Sequence, residues 1–143
     1  MIVEAAAARS ATWSAATDMF KRSQVPWDYV CADGLRLPFR DQSFDLVLSN
    51  AVIEHVGGED AQRRFVGEHC RVGRHWIITT PNRWFPVETH TLVPFMHWSE
   101  QWRRRQDTFT RLLSRGEFAA LLPHGSEIVG RTYDVTFIGA SGP

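Results

Sequence analysis

The chain has 143 residues, of which 43% are hydrophobic, and its 16 basic residues balance 16 acidic ones, so the formal net charge is zero. A chain of this length is expected to form a single domain with its own hydrophobic core, without help from disulfides or metals. The balanced charge argues against nucleic-acid binding by bulk positive charge, and the hydrophobic content argues against disorder. No run of about 18 apolar residues occurs, so the sequence predicts no transmembrane helix.

The start of the chain and the cysteines favour a cytoplasmic protein. Residues 1–8 are short, carry the acidic Glu4 and lack the basic head of a signal peptide. Cys31 and Cys70 lie within apolar patterns and are expected to be reduced thiols of the core, because two cysteines do not make a disulfide framework.

The first part of the chain predicts a helix followed by two strands. Residues 5–22 are rich in alanine and contain no Gly or Pro, and Trp13, Ala16 and Phe20 fall on one stripe, which predicts an amphipathic helix. Residues 27–31 (WDYVC) predict a short strand. Residues 44–49 (FDLVLS) are almost continuously apolar, which is typical of a parallel strand buried on both faces.

The middle of the chain predicts a helix, a buried strand and a long loop. The helix is expected from residue 59 to about residue 71, with Gly73 as its left-handed cap. Residues 75–80 (HWIITT) predict the strand. Residues 81–98 contain three prolines together with several aromatic residues, so we expect an ordered loop rather than a regular element or a disordered segment.

The last part of the chain predicts a short helix and two strands. Ser114 and Glu117 have the spacing of a capping box before a helix over 118–122. A brief strand is expected over 126–129, and strict alternation over 132–138 predicts a half-exposed antiparallel strand. Buried strands separated by helices predict an α/β layered sheet with right-handed crossovers.

Polar residues follow three of the predicted strands, where an open α/β sheet binds its ligands. Asp33-Gly34 follows the first strand, Asn50-Ala51 the second and Asn82 the third. An acid followed by glycine can accept from an exocyclic amine while the backbone approaches closely, although a solvated turn has the same sequence.

Residues 29–39 (YVCADGLRLPF) and 41–56 (DQSFDLVLSNAVIEHV) resemble the class I S-adenosylmethionine-dependent methyltransferases, and are most similar to the small-molecule, ubiquinone-biosynthesis-like subgroup. The resemblance implies S-adenosylmethionine as the cofactor. It implies that Asp33 accepts a hydrogen bond from the adenine amino group and that Gly34 and Leu35 present backbone to the same ring. Asn50 and Ala51 would line the methionine end of the cofactor.

The N-terminal part of the sequence departs from the family pattern. Glu4 stands about where the family has its ribose-binding acid, but a glutamate favoured by the start of a helix fits equally well. The Gly-x-Gly-x-Gly loop of the family is absent. We therefore expect a partial Rossmann-like methyltransferase sheet, with helices on both faces and a C-terminal antiparallel strand pair, that lacks the first strand and the Gly-rich loop and is a fragment of a longer enzyme.

The expected reaction is methyl transfer to a small or lipid-like acceptor. His55 is the nearest candidate base, although a histidine packed at a helix start is the alternative. On this resemblance the loop over 81–98 would cover the acceptor, and His90, His97 and Arg83 are further candidates on it. Ala51 stands where a Glu-x-x-Glu-His metal pattern would have its first acid, so no metal site is predicted.

Two other functions remain open at this stage. A non-catalytic relative that has lost the cofactor would also lack the Gly-rich loop, and a dinucleotide-binding oxidoreductase fits less well because its phosphate loop is absent too. Arginines at 103–105 beside tryptophans leave a peripheral contact with an anionic membrane as a further alternative to a solvated helix face.

Overall fold

The computed structural model describes residues 30, 32–87, 94–95, 98–99, 101 and 110–142. Within these residues, four strands form one mixed sheet in the order β1-β2-β4-β3. The elements are β1 (Phe44–Asn50), a 3-10 turn (Ile53–His55), α1 (Glu59–Val72), β2 (Gly73–Pro81), α2 (Arg115–Leu121), β3 (Glu127–Val129) and β4 (Thr136–Ala140). The predicted α/β class is confirmed. The helix expected over 5–22 and, apart from Val30, the strand expected over 27–31 lie outside the described residues.

The strand pairing combines a parallel and an antiparallel part. β1 runs parallel to β2, which places Val47 opposite Trp76 and Asn50 opposite Thr79. β4 is antiparallel to both β2 and β3, as predicted for the end of the chain. The parallel pair brings the carboxyl ends of β1 and β2 to the same edge of the sheet, where α/β proteins bind ligands.

One face of the sheet carries the core and both described helices. Side chains alternate between the two faces along each strand, and Val47 of β1, Ile78 of β2 and Phe137 of β4 point to this face and are at most 4% exposed. Phe65 of α1 and Phe118 of α2 are fully buried against them. The layering removes this face from water, and such burial is the main favourable term in folding.

The opposite face of the sheet is partly open, which corrects the expectation that β1 is buried on both sides. Leu46 and Leu48 are 53% and 47% exposed, and Val129 and Ile138 on the neighbouring strands are 63% and 39% exposed. The apolar sequence of β1 indicated burial. Both helices among the described residues pack on the other face, however, so this one stays in contact with water.

Gly73 has a different role from the one predicted. Its φ of −99° and ψ of 140° are extended, so it is no left-handed cap and instead opens β2 directly after α1. A Cβ atom at Gly73 would lie 2.7 Å from the carbonyl oxygen of His75 and 2.8 Å from Cγ2 of Val47. Glycine is therefore required by close packing between the helix end and the sheet.

The last predicted strand starts later than expected. Residues 131–135 form a turn, because the buried Asn82 side chain donates from Nδ2 to the carbonyl oxygens of Thr132, at 2.6 Å, and Asp134, at 2.8 Å. Tyr133 is 78% exposed. Residues 132–135 alternate in sequence as a strand would. The side-chain amide of Asn82, distant in sequence, donates to two of their carbonyl oxygens and holds them in the turn.

The capping box before α2 is confirmed. The Ser114 side chain accepts from the backbone of Glu117, and Glu117 accepts from the backbone of Ser114 at 2.9 Å. This reciprocal pair satisfies two backbone donors at the helix start. Neither described helix is long and apolar enough to cross a membrane.

Candidate functional site

Asp33 stands in a tight turn with its carboxylate in solvent. The backbone N–H of Arg36 donates to the Asp33 carbonyl at 3.0 Å, and the N–H of Leu35 donates to Asp33 Oδ1 at 2.9 Å. Gly34 is buried beneath the turn. Asp33 forms no ion pair with any described residue, so its second carboxylate oxygen is available to an external donor.

An open depression of about 730 Å³ lies between this turn and the start of α1. Leu35 forms one wall, and Gly58, Glu59, Asp60, Ala61 and Arg64 form the other. Gly57, with φ +119°, turns the chain into the helix there. Leu35 therefore borders a space large enough for a flat ring.

Asn50 and Ala51 form a second turn, at the carboxyl end of β1. Asn50 Oδ1 accepts from the Thr79 hydroxyl at 2.7 Å, and the N–H of Ala51 donates to the same hydroxyl oxygen at 3.0 Å. Ala51 has φ +52°, which is unusual for alanine and costs about 1–2 kcal/mol. These bonds fix the amide of Asn50 with its oxygen occupied, so that its Nδ2 hydrogens are the donors left for a ligand.

Sequence reasoning missed Thr79, which orients this turn. The residue lies in the predicted strand HWIITT, opposite Asn50 in the register, and is 8% exposed. The two adjacent hydroxyls of Thr79 and Thr80 at the end of this strand were the available signal, but the parallel register that pairs Thr79 with Asn50 was not known from the sequence.

His55 ends the 3-10 turn that follows. Its Nε2 lies 3.7 Å from Oε1 of Glu54, and its side chain is 31% exposed whereas that of Glu54 is fully buried. The turn is held from outside, because Gln62 donates to the Ile53 carbonyl at 3.0 Å and the N–H of Arg111 donates to the Glu54 carbonyl at 2.8 Å. His55 is thus a half-buried imidazole on a fixed turn, next to a carboxylate.

Arg83 is engaged in holding the base of the long loop. Its guanidinium donates twice to the Leu112 carbonyl, at 3.0 and 2.8 Å, and once to Glu117 at 2.9 Å. Burial opposes ionisation of Glu117, but hydrogen bonds from Ser114 and the charge of Arg83 outweigh it and lower the pKa of the Glu117 carboxyl. The ion pair therefore joins the loop to the start of α2.

Beyond Arg83, three aromatic side chains lie together on the surface. Trp84, Phe95 and Trp98 are 45%, 56% and 43% exposed. The Trp98 ring centroid lies 6.2 Å from that of Trp84 and 5.1 Å from that of Phe95.

The other predicted site residues are only partly placed. Glu4, His90 and His97 lie outside the described residues. Within the described part of the chain, no hydrogen bond joins the Asp33 turn to the Asn50 turn. No group of three or more His, Cys, Asp or Glu in that part is arranged to hold a metal ion.

A family model described as a methyltransferase domain matches residues 5–75. No curated protein matches the chain significantly. The match is to a methyltransferase domain and covers just under half of the chain.

Several solved structures share the fold. An S-adenosylmethionine-dependent methyltransferase from Thermotoga maritima, described as a possible histamine N-methyltransferase, has a TM-score of 0.59 and 16% identity over 80% of this chain and 63% of its own. A Methanosarcina mazei methyltransferase has a TM-score of 0.61 and 14% identity over 96% and 80%. One from Mesorhizobium loti has a TM-score of 0.57 and 14% identity over 92% and 76%.

These identities establish a shared fold alone. The chain spans less than two thirds of the length of the Thermotoga maritima protein.

Proposed function

We propose that this chain binds S-adenosylmethionine and serves methyl transfer to a small or lipid-like acceptor, as part of a longer cytoplasmic enzyme of the small-molecule, ubiquinone-biosynthesis-like subgroup. The observation that carries the proposal is the ordered turn at the carboxyl end of β1, where Thr79 holds Asn50 and Ala51 in fixed positions. On this proposal residues 1–143 form a single, incomplete methyltransferase domain, and the loop over 81–98 covers the acceptor.

Asp33 would recognise the adenine ring. An exposed carboxylate with one oxygen engaged by Leu35 keeps the other for the exocyclic amine, and a hydrogen bond to a charged acceptor is stronger than a neutral one. Gly34 and Leu35 would present backbone to the same ring. The depression beside Leu35 supplies the space for it.

The turn after β1 would hold the methionine end. The Nδ2 hydrogens of Asn50 suit the carboxylate of an amino acid, because Oδ1 is already occupied by Thr79. Ala51 would line the same end, and Glu4 would accept from the ribose hydroxyls. Bound S-adenosylmethionine supplies a methyl group activated by its sulfonium.

His55 would take the proton of the acceptor. The protein mainly has to hold the acceptor lone pair about 3 Å from the reacting carbon, and a positioned base adds to the rate. The Glu54 carboxylate, 3.7 Å from His55 Nε2, is placed to balance the charge that the imidazole gains.

Calorimetric titration of the chain with S-adenosylhomocysteine tests the proposal. We expect micromolar binding that Asp33→Ala weakens about tenfold or more, since a hydrogen bond to a charged group contributes about 1.5–3 kcal/mol. Asp45→Ala is the matched control, because Asp45 is an exposed acid that pairs only with Arg74 among the described residues. Binding that survives Asp33→Ala removes Asp33 from the site.

The absence of a Gly-x-Gly-x-Gly motif favours a second candidate, a non-catalytic relative of the methyltransferases that does not bind the cofactor. The same titration separates the two. A folded chain that shows no heat with millimolar S-adenosylhomocysteine supports the non-catalytic relative and rejects the enzyme.

A further inference from the structure

Trp84, Phe95 and Trp98 form an exposed aromatic cluster directly beyond the end of β2. We propose that this cluster binds an apolar ring of the methyl acceptor; this inference rests on the proposed function and names the substrate class that the function leaves open. Each of the three side chains keeps between 43% and 56% of its surface exposed. Surface apolar groups usually occur singly, so a cluster of three large aromatic residues is typical of a contact site.

The cluster stands at the edge of the sheet that carries the proposed cofactor site. Thr79 holds Asn50, and Asn82 follows Thr79 by three residues, or about 10 Å at the rise of a strand. The backbone N–H of Trp84 donates to Asn82 Oδ1 at 2.9 Å, which fixes the backbone that carries the first ring at this point. An acceptor whose reacting atom lies near Asn50 would therefore extend toward the cluster over about the length of a two-ring molecule.

Backbone hydrogen bonds fix the segments that carry the rings. Val87 pairs with Pro94, the N–H of Phe95 donates to the Pro86 carbonyl at 2.8 Å, and the N–H of Trp98 donates to the Phe95 carbonyl at 3.2 Å. Phe95 has φ +62°, a conformation that is costly for a bulky residue. Such strain persists where surrounding contacts enforce it, and it is concentrated at ligand clamps.

The arrangement of the rings favours an aromatic or other apolar ring over an anionic lipid surface. Trp84 and Phe95 are tilted by 59° and 68° to Trp98, so the rings do not stack on one another. A further ring can pack edge-to-face against them, which adds about 0.5–1.5 kcal/mol to simple burial. A membrane surface would call for cations beside the cluster, and among the described residues the neighbouring Arg83 already bonds to Leu112 and Glu117.

The test uses the whole chain with 1-naphthol, a hydroxyl-bearing two-ring probe, and 1-octanol as the matched probe without a ring. Binding of each probe is measured by saturation-transfer NMR titration, and S-adenosylhomocysteine binding is measured in parallel by calorimetry. The variants are Trp84→Ala and Trp98→Ala. Leu46→Ser is the control, because Leu46 is equally exposed at 53% but lies on the sheet face.

We expect 1-naphthol to bind more tightly than 1-octanol, and each tryptophan variant to weaken 1-naphthol binding about three- to tenfold, as loss of one aromatic contact predicts. Leu46→Ser should leave it unchanged, and S-adenosylhomocysteine affinity should stay within twofold in all variants. If Trp98→Ala does not fold, Trp98→Leu removes the aromatic face while keeping an apolar side chain.

The proposal is overturned if Leu46→Ser weakens 1-naphthol binding as much as the tryptophan variants do, or if neither tryptophan variant weakens it. So does cluster-dependent binding to phosphatidylcholine/phosphatidylglycerol vesicles or cluster-dependent dimerisation without ring binding, which would assign the cluster to a membrane or to a second copy. If the wild-type chain binds 1-naphthol through the cluster but not S-adenosylhomocysteine, the ring site stands and its role in methyl transfer falls with the proposed function.

Discussion

Ala51 and His69 each adopt a state that the residue type disfavours on its own. Ala51 adopts a left-handed conformation and is held there by bonds from its N–H to the side-chain and main-chain oxygens of Thr79, at 3.0 and 3.3 Å. His69 is 1% exposed in the core, where its Nδ1 lies 2.7 Å from the Phe65 carbonyl oxygen. In both cases the surrounding structure outweighs what the residue would do alone.

Burial lowers the pKa of His69 below its ordinary value of 6.5, although its bond to Phe65 and the nearby charge of Glu68 act in the opposite direction. The folded protein therefore keeps this imidazole neutral at pH values where the unfolded chain protonates it. Stability from His69 is complete above the unfolded pKa and is lost as the pH falls below it.

We predict that the free energy of unfolding, measured with urea, decreases between pH 7 and pH 5 by up to about 1.4 kcal/mol per pH unit from this one proton. His69→Gln should flatten that decrease, whatever its effect on stability at pH 7. His124→Gln, on an exposed turn, is the control for the loss of a histidine outside the core. An unchanged slope in His69→Gln would show that His69 does not bind its proton differently in the two states.

At the level of the elements, α1 illustrates that two glycines close in sequence can have opposite roles. Gly67 lies in the exposed middle of the helix, where a Cβ atom would meet nothing within 4 Å. Gly73 lies at the junction of α1 and β2, where a Cβ atom would meet the His75 carbonyl at 2.7 Å. Gly67 only raises the conformational entropy of the unfolded chain, which lowers the stability of the fold. Gly73, in contrast, permits the close approach of helix and strand.

We predict opposite effects of one substitution at these positions. Gly67→Ala should raise the free energy of unfolding by about 0.5–1 kcal/mol, because alanine favours the helix. Gly73→Ala should lower it by about 1–3 kcal/mol, the cost typical of overpacking. Thermal and urea unfolding of both variants measure this, and a Gly73→Ala protein as stable as wild type would mean that the backbone yields easily at the junction.

Elements with a strong local signal could be predicted from the sequence. Three features depend only on residues that are close in sequence: the apolar pattern of α1, the buried run of β2 and the Ser114–Glu117 capping box. Tertiary contacts decided the remainder. The Asn82 amide converts residues 132–135 into a turn from 50 residues away, and the partner of Asn50 depends on strand register.

The candidate site follows the same division. Asp33 and Asn50 are predicted as site residues because the sequence around them resembles a known family, and this stays a prediction. Thr79 and the aromatic cluster were not assigned, since their roles depend on which segments meet in space.

Across the whole molecule, the two faces of the sheet differ in how much they contribute to stability. On β1, Val47 points to the face that carries α1 and is 4% exposed, whereas Leu48 points to the other face and is 47% exposed. The two residues are adjacent and both apolar, so the strand alternation alone separates them. Their substitution by alanine therefore reports directly on which face of the sheet is covered.

We predict that Val47→Ala lowers the free energy of unfolding by about 2 kcal/mol and Leu48→Ala by less than about 1 kcal/mol, although the leucine loses more carbon atoms. A half-exposed side chain gives up little buried area and leaves no enclosed cavity. Urea unfolding of both variants in the complete chain measures the difference. A loss of 2 kcal/mol or more at Leu48 would contradict the open face and show that another part of the chain or a second molecule covers this side of the sheet in solution.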